Sequence, residues 1–167
     1  VAEVKLNRAD KHNALDHEMF EAILRIGDQI AQDDSIRAVI LHGAGDSFCA
    51  GIDLSMFAGE GLTHDFNERM KRRDSSLANY YQSAAYVWRE IPVPVIAVLH
   101  GAVYGGGLQI ALGADIRYAK ENTKLSIMEI KWGIIPDMAM TTSLPYLMNI
   151  DKALEMATTA DILDANE

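Results

Sequence analysis

HGAVYGGGLQIALGADIRYA, residues 100–119, has three consecutive glycines directly before a stretch with helical character. Glycine in a helix costs about 1 kcal/mol relative to alanine, so helix propensity does not explain Gly105, Gly106 and Gly107. A buried strand is predicted just before them, at 93–99 (VPVIAVL). A strand, a glycine loop and a helix in this order expose backbone N–H groups at a helix N-terminus, where a ligand can approach without a Cβ in the way.

The glycine loop has several possible uses. Phosphate binding is one, but a Walker loop needs Gly-Lys-Ser/Thr where Leu108-Gln109 stands, and the spacing G-x-G-x-x-G is absent. A second use is an oxyanion hole, in which an N–H donates to a carbonyl oxygen that gains charge. A third is a tight strand-to-helix crossing that needs small residues for packing. The glycines alone do not decide between the last two.

Composition limits the class of protein. The 167 residues are 49% apolar and 23% charged, which is typical of one globular domain. There is no run of eighteen apolar residues, so we expect no membrane span. The net charge of −9 argues against nonspecific nucleic-acid binding. The single cysteine, Cys49, excludes an internal disulfide and favours the cytoplasm.

Apolar patterning predicts alternating strands and helices. Asp16 is expected to cap a helix whose apolar residues follow helical spacing. A single long helix is predicted over 66–91, ending before Pro92. Strands are predicted at 1–6, 36–41, 93–99, 115–118 and 124–127. This alternation predicts an α/β fold with a largely parallel sheet.

Both ends of the sequence look cut. The first residue already lies within a strand pattern, and Asp164 with Glu167 is spaced like a capping box at the start of a helix. We therefore expect 1–167 to be the core domain of a longer protein, truncated at both ends.

A second stretch, FCAGIDL at 48–54, follows soon after the predicted strand 36–41. Together with NRADKHNALD (7–16), the glycine stretch (100–119) and MEIKWGIIPD (128–137), it resembles the enoyl-CoA hydratase/isomerase family, also called the crotonase superfamily. The four segments occur in family order along the whole chain. The resemblance implies the crotonase (ClpP/crotonase-like) fold, in which repeated ββα units form a spiral core.

The resemblance also implies an acyl-CoA thioester substrate, whose carbonyl is polarised by two backbone N–H groups. By position these belong to Ile52 and Gly106, and the helix that begins there adds its dipole. Coenzyme A would arrive as part of the substrate, so we expect no separate cofactor. The positions expected to bind the coenzyme A thioester are Ala50, Gly51, Asp53, Leu54 and Gly105.

The family's hydratases use two glutamates, and here only the second is present. Gln109 stands at the first position and cannot exchange a proton, whereas Glu129 matches the second. Asp137 stands where dienoyl-CoA isomerases and a dehalogenase branch have an aspartate, although those isomerases also have an aspartate in place of Gln109. The structural alternatives are a surface or helix-start role for Glu129, a turn or N-cap role for Asp137, and an amide of Gln109 bonded to a neighbouring backbone group.

Three functions follow from the resemblance: an enoyl-CoA isomerase with one carboxylate, a hydratase without the usual pair, and a divergent acyl-CoA-binding protein with little or no activity. Dehalogenation through Asp137 is a remote fourth. We expect a homotrimer or a dimer of trimers, with neither nucleic acid nor membrane as a partner. We expect no metal site, because the histidines lack metal-ligand spacing: His12, His17, His42, His64 and His100.

Overall fold

The computed structural model describes residues 1–57, 65–74 and 76–166. Its main sheet has four parallel strands in the order β1 (Ala2–Leu6), β2 (Val39–Gly43), β3 (Val95–Leu99) and β5 (Ile116–Ala119). A second sheet pairs β6 (Lys124–Ser126) in parallel with β4 (Ala102–Tyr104) and antiparallel with β7 (Leu163–Asp164). The prediction of an α/β fold with a largely parallel sheet is confirmed.

The helices lie between these strands in sequence: α1 (His17–Ala31), α2 (Phe66–Arg69), α3 (Tyr80–Glu90), α4 (Gly106–Gly113), α5 (Met140–Ser143) and α6 (Ile150–Thr159). Asp16 caps α1 as predicted, because its Oδ1 accepts a hydrogen bond of 2.9 Å from the N–H of Met19. All residues of α4 are buried, which agrees with an apolar sequence that has no polar face.

The two sheets are linked by a repeated ββ arrangement. β3 of the main sheet continues directly into β4 of the second, and β5 continues into β6. After β2, Cys49 makes a single parallel bridge to Val103 of β4, so this part of the chain follows the same pattern. α4 follows β4 and packs against α3, which also packs against α1. The core is shared by the inward faces of β1–β3 and by α1 and α3, with Phe20 and Trp88 fully buried.

The prediction of one helix over 66–91 is wrong. α2 ends at Arg69, and α3 begins only at Tyr80, after a separate helix start. The Asn79 side chain accepts from the Gln82 N–H while the Gln82 side chain accepts from the Asn79 N–H, a capping box that begins a new helix. Leu77, an apolar residue within the predicted helix over 66–91, is 68% exposed.

Three smaller differences concern strands. β2 begins at Val39 rather than at residue 36, because the N–H of Ile36 donates to the Asp33 carbonyl in a turn. The sequence patterns did not indicate β4. Asp164 lies in β7 rather than at a helix start, and its Oδ1 accepts from the Asn166 N–H within a turn. Glu167, the other half of the expected capping box, lies outside the described residues.

Two further observations apply to the described part of the chain. None of its helices is long and apolar enough to cross a bilayer. Within the same residues, no three His, Cys, Asp or Glu side chains are grouped so that they could hold a metal ion. His64 lies outside the described residues.

Candidate active site

A cavity of about 370 Å³ opens where three parts of the chain meet: the segment after β2, the N-terminus of α4 and the segment 128–138. The predicted site residues come from stretches far apart in sequence, yet all of them line this cavity: Ala50, Gly51, Ile52, Asp53, Leu54, Gly105, Gly106, Gln109, Glu129 and Asp137. The structure therefore brings the predicted residues together, and their roles remain predictions.

The backbone around Ile52 is turned by a short pairing with Leu15. The N–H of Leu15 donates to the Gly51 carbonyl at 2.8 Å, and the N–H of Asp53 donates to the Leu15 carbonyl at 3.0 Å. In a parallel bridge the residue between two such bonds directs its own N–H to the opposite side. The N–H of Ile52 therefore points away from Leu15, and it has no backbone acceptor among the described residues.

Each of the three glycines has a different structural environment. Gly105 has φ +50° and ψ −121°, which L side chains rarely adopt, and its N–H donates to the Ser126 carbonyl at 3.0 Å. A Cβ at position 107 would lie 2.3 Å from the Cys49 carbonyl oxygen, so Gly107 permits a close backbone approach. Gly106 begins α4, and within the described residues its N–H has no backbone acceptor. Packing thus explains Gly107, and an available amide is left at Gly106.

The segment that contains Ile52 lies beside the start of α4. A Cβ at Gly51 would lie 3.6 Å from the Gly106 nitrogen, so the backbone before Ile52 approaches the start of α4 directly. The N–H of Tyr104 donates to the Cys49 carbonyl at 3.0 Å and holds the two segments side by side. Ile52 and Gly106 both line the same cavity.

Glu129 begins a short 3₁₀ helix, Glu129–Trp132, and is only 6% exposed. Its Oε1 accepts a 2.6 Å hydrogen bond from Gln109 Nε2, and it would lie 3.4 Å from a Cβ at Gly105. Among the described residues, Gln109 Oε1 and Glu129 Oε2 are buried without a hydrogen-bond partner. A surface role for Glu129 is therefore wrong, and so is a backbone partner for the Gln109 amide.

The surroundings of Glu129 disfavour its charge. Burial raises the pKa of this carboxyl above its ordinary value, and the nearby Asp137 carboxylate raises it further. Hydrogen bonding to the local backbone and to Gln109 acts in the opposite direction. Met128 and Trp132 belong to the apolar part of the same cavity wall. A raised pKa suits a carboxyl group that both takes and releases a proton.

Asp137 lies at the rim of the cavity, and desolvation raises the pKa of its carboxyl. The N-cap interpretation of this residue is wrong, because α5 begins after Ala139 and has no side-chain cap. The backbone carbonyl of Asp137 accepts from the Ala139 N–H, as expected of a turn. Its carboxyl is thus a second acidic group of the cavity.

The profile of the enoyl-CoA hydratase/isomerase family matches residues 1–167. The chain belongs to this family.

Similar proteins include hydratases and isomerases. The mitochondrial Delta(3,5)-Delta(2,4)-dienoyl-CoA isomerase of Homo sapiens is 32% identical over 170 residues, 100% of this chain and 52% of that protein. The mitochondrial methylglutaconyl-CoA hydratase of Mus musculus is 32% identical over 166 residues, covering 97% and 49%. The chain thus spans about half the length of the curated relatives it matches.

Solved structures of the enoyl-CoA hydratase/isomerase family have the same fold. The enoyl-CoA hydratase of Bacillus anthracis superimposes with a TM-score of 0.84 at 32% identity, over 98% of this chain and 60% of that one. The predicted crotonase fold is confirmed by this similarity.

Two predicted family positions have a structural explanation. Asp53 accepts hydrogen bonds from the Ser55 N–H and from the Arg8 side chain, and these contacts lower the pKa of its carboxyl to about 2. The Asp53 charge is therefore paired with Arg8 within the protein. Cys49 is fully buried, which raises the pKa of its thiol to about 12, and its Sγ donates to the Asn13 carbonyl at 3.1 Å. This environment shows Cys49 to be a small buried residue of the core.

Sequence reasoning missed several residues of this family site. Lys11, Phe57, Ile134, Ile135 and Met138 also line the cavity. Met138 is buried, and its Sδ would lie 3.0 Å from a Cβ at Gly106. Lys11, Ile134 and Ile135 belong to the family segments quoted above, so their position within those segments was an available signal. Phe57 and Met138 lie outside the quoted segments and carried no such signal.

Proposed function

We propose that this domain binds an unsaturated acyl-CoA thioester and moves its double bond by proton transfer through Glu129. The observation that carries the proposal is the position of Glu129, a buried carboxyl with a raised pKa in the cavity that Ile52 and Gly106 also line. The names of the relatives support it, because both isomerases and hydratases of CoA thioesters are among them.

The proposed reaction begins with the Glu129 carboxylate taking a proton from the carbon next to the thioester of a 3-enoyl-CoA. The electron pair of that C–H bond spreads over the double bond to the thioester oxygen and forms a dienolate. The N–H groups of Ile52 and Gly106 donate to this oxygen, and one such donor is worth about 2.7–4 kcal/mol of transition-state stabilisation. Glu129 then returns the proton to the far end of the dienolate, which yields the 2-enoyl-CoA without a net change in atoms or charge.

Gln109 favours a mechanism with one base. Gln109 Nε2 donates a hydrogen bond to Glu129 Oε1, so the other carboxyl oxygen, Oε2, carries the transferred proton. An amide neither gives nor takes a proton in this pH range, so Gln109 orients the base and leaves the proton transfer to Glu129.

Hydration of a 2-enoyl-CoA is the second candidate, and a separate observation favours it. Gln109 Oε1 and Glu129 Oε2 are two buried acceptors without partners in the described part of the chain. Two unpartnered acceptors suit the two hydrogens of one water molecule, and that water would add to the double bond. A carboxylic acid at the Gln109 position would be needed for the usual two-group mechanism, so we expect hydration to be the slower activity.

The test is turnover of a 2-enoyl-CoA, a 3-enoyl-CoA and a dienoyl-CoA by the purified protein, with the products identified. Conversion of the 3-enoyl-CoA as the fastest reaction supports the isomerase. Hydration as the fastest reaction would replace it with the second candidate. Tight binding of all three compounds without any turnover would show an acyl-CoA-binding protein without activity.

Assembly and location are part of the same proposal. We propose a homotrimer or a dimer of trimers on the basis of the family, and light scattering at micromolar concentration tests it. A monomer would contradict this assembly. The cytoplasm is the proposed compartment, because Cys49, the single cysteine, is a free and buried thiol.

A further inference from the structure

The segment that holds the N–H of Ile52, residues 49–53, belongs to neither a helix nor a named strand. Hydrogen bonds hold it on both sides. On one side the Ala50 N–H donates to the His12 carbonyl at 2.9 Å, next to the Leu15 pairing described above. On the other side Cys49 exchanges hydrogen bonds with Ala102 and Tyr104. The direction of the Ile52 amide therefore depends on where residues 12–15 lie.

Asn13 fixes the position of residues 12–15. Its side chain is completely buried, and Nδ2 donates to three backbone carbonyls, those of Ala44 at 2.9 Å, Ser47 at 2.8 Å and Phe48 at 3.1 Å. Its Oδ1 accepts from the Arg8 N–H at 2.8 Å. One amide side chain thus ties the loop before residue 49 to the loop that begins the segment 12–15.

The backbone of Asn13 adds a second constraint. Asn13 has φ +56°, a left-handed conformation that asparagine tolerates better than most residues with a side chain. The carbonyl of Asn13 also accepts from the Cys49 thiol. The Asn13 side chain therefore contacts the loop at residues 44–48. The Asn13 backbone carbonyl contacts Cys49, where the segment 49–53 begins.

We propose that Asn13 is a positioning residue, which holds residues 49–53 so that the Ile52 N–H is aimed at the thioester oxygen. This inference rests on the proposed function, because it assumes that a thioester oxygen lies between Ile52 and Gly106. Asn13 itself does not line the cavity. Its effect on the reaction passes through the Ile52 backbone.

Two substitutions separate the side chain from the backbone conformation. Asn13→Gly keeps the left-handed conformation and removes every side-chain hydrogen bond. Asn13→Asp keeps the size and the acceptor, but replaces the donating amide with an oxygen that faces three carbonyl oxygens. Cys49→Ala is a milder change, because it leaves the Asn13 side chain in place. It removes the thiol hydrogen bond to the Asn13 carbonyl and the hydrogen bond of the Gly51 backbone to the thiol.

The measurement is the infrared carbonyl stretch of bound butyryl-CoA, isotope-labelled at its thioester carbonyl. Hydrogen bonds from the protein polarise this carbonyl and lower its frequency. In both Asn13 variants we expect the stretch to return toward its value in solution and kcat to fall about tenfold to a hundredfold, as for a misplaced donor. The Kd for butyryl-CoA should stay close to that of the unchanged protein, and Cys49→Ala should give a smaller shift in the same direction.

Asn79→Gly is the matched control, because it removes another buried asparagine that caps α3 away from the cavity. A residue that only stabilises the fold would lower the folded fraction and leave the carbonyl frequency of the folded molecules unchanged. Asn79→Gly should behave in that way.

The outcomes separate this inference from the proposed function. If butyryl-CoA shows no frequency shift even in the unchanged protein, the oxyanion hole itself is wrong. If the unchanged protein shows the shift and the folded variants at positions 13 and 49 retain it fully, the positioning role of Asn13 is overturned. Should both Asn13 variants fail to fold, the result for Cys49→Ala alone decides.

Discussion

Gln109 and Glu129 share a buried hydrogen bond of 2.6 Å between Nε2 and Oε1. The bond joins the first turn of α4 to the 3₁₀ helix at Glu129–Trp132, so each element fixes the position of the other. It distinguishes the two oxygens of one carboxyl group, since Oε1 is engaged and Oε2 has no partner among the described residues. This asymmetry supports the proposed role of Glu129 as a single base that acts through Oε2.

Glu129→Gln should abolish isomerisation of a 3-enoyl-CoA while acyl-CoA binding is largely kept. The amide has the size of the carboxyl group but no transferable proton, and general acid–base groups contribute about 10²–10⁴-fold in rate. Steady-state rates and a binding isotherm measure the two effects. Glu121→Gln, an exposed change outside the cavity, is the control and should be neutral. Full turnover by Glu129→Gln on every active substrate would make Asp137 the next candidate base.

The pH dependence of kcat/KM should report the raised pKa of Glu129. The base must be ionised, so the rate rises with pH through this pKa, and the acid limb lies above the ordinary glutamate value of 4.5. A pH–rate profile with a slowly converted 3-enoyl-CoA measures it. A limb at or below the ordinary value would contradict the desolvated environment.

The stability of the fold should also depend on the ionisation of Glu129. Its contribution should fall as pH rises, whereas the reaction rate rises. A carboxyl whose pKa is raised by folding stabilises the fold fully below its unfolded-state pKa, and that contribution is lost as pH rises through the folded-state pKa. Glutamine at position 129 stays neutral throughout. The free energy of unfolding of Glu129→Gln, relative to that of the unchanged protein, should therefore increase as pH rises. Urea unfolding at acidic and neutral pH measures this difference. A constant difference would show that the pKa of Glu129 is unshifted.

Gln109→Glu should increase hydration of a 2-enoyl-CoA relative to isomerisation, because it creates two carboxyl groups at the site of the two unpartnered oxygens. Gln109→Met should move the acid limb of the pH–rate profile for isomerisation to higher pH, since it removes a hydrogen bond that lowers the pKa of Glu129. Product ratios and pH–rate profiles of the two variants test these effects. Unchanged profiles in both would show that Gln109 has no influence on the base.

Gly107→Ala should destabilise the protein, whereas Gly106→Ala should be tolerated better. A Cβ at position 107 would meet the Cys49 carbonyl oxygen at 2.3 Å, and the backbone must move. A Cβ at position 106 would meet only the side-chain ends of Leu15 and Met138, each at 3.0 Å. Overpacking of a fixed contact costs about 1–3 kcal/mol, which urea unfolding detects. Equal stability of the two variants would contradict the packing role of Gly107.

The predictable parts of the fold and site depended on local signals. The capping carboxylate of Asp16 and the apolar strand runs are local, and they predicted α1 and the parallel sheet. The prediction of one helix over 66–91 was wrong because the apolar spacing continues across Asn79, where a side-chain cap begins a new helix. β4 is only three residues long, too short for any periodicity. Site residues were found through family segments, but the hydrogen bonds of Asn13 and the Arg8–Asp53 ion pair join residues distant in sequence and leave no local trace.

The pairing of residues 49–53 with both residues 12–15 and β4 has a consequence for folding. The two amides that border the cavity come from opposite sides of α3 in sequence, and the chain between them must close before they can approach. Such long-range closures are slow steps in folding, because chain entropy is lost before the contact is gained. An intermediate that contains only α1 and the first strands would lack the proposed thioester site. Recovery of acyl-CoA binding during refolding should therefore follow the slowest phase, and so it reports on the completed native state.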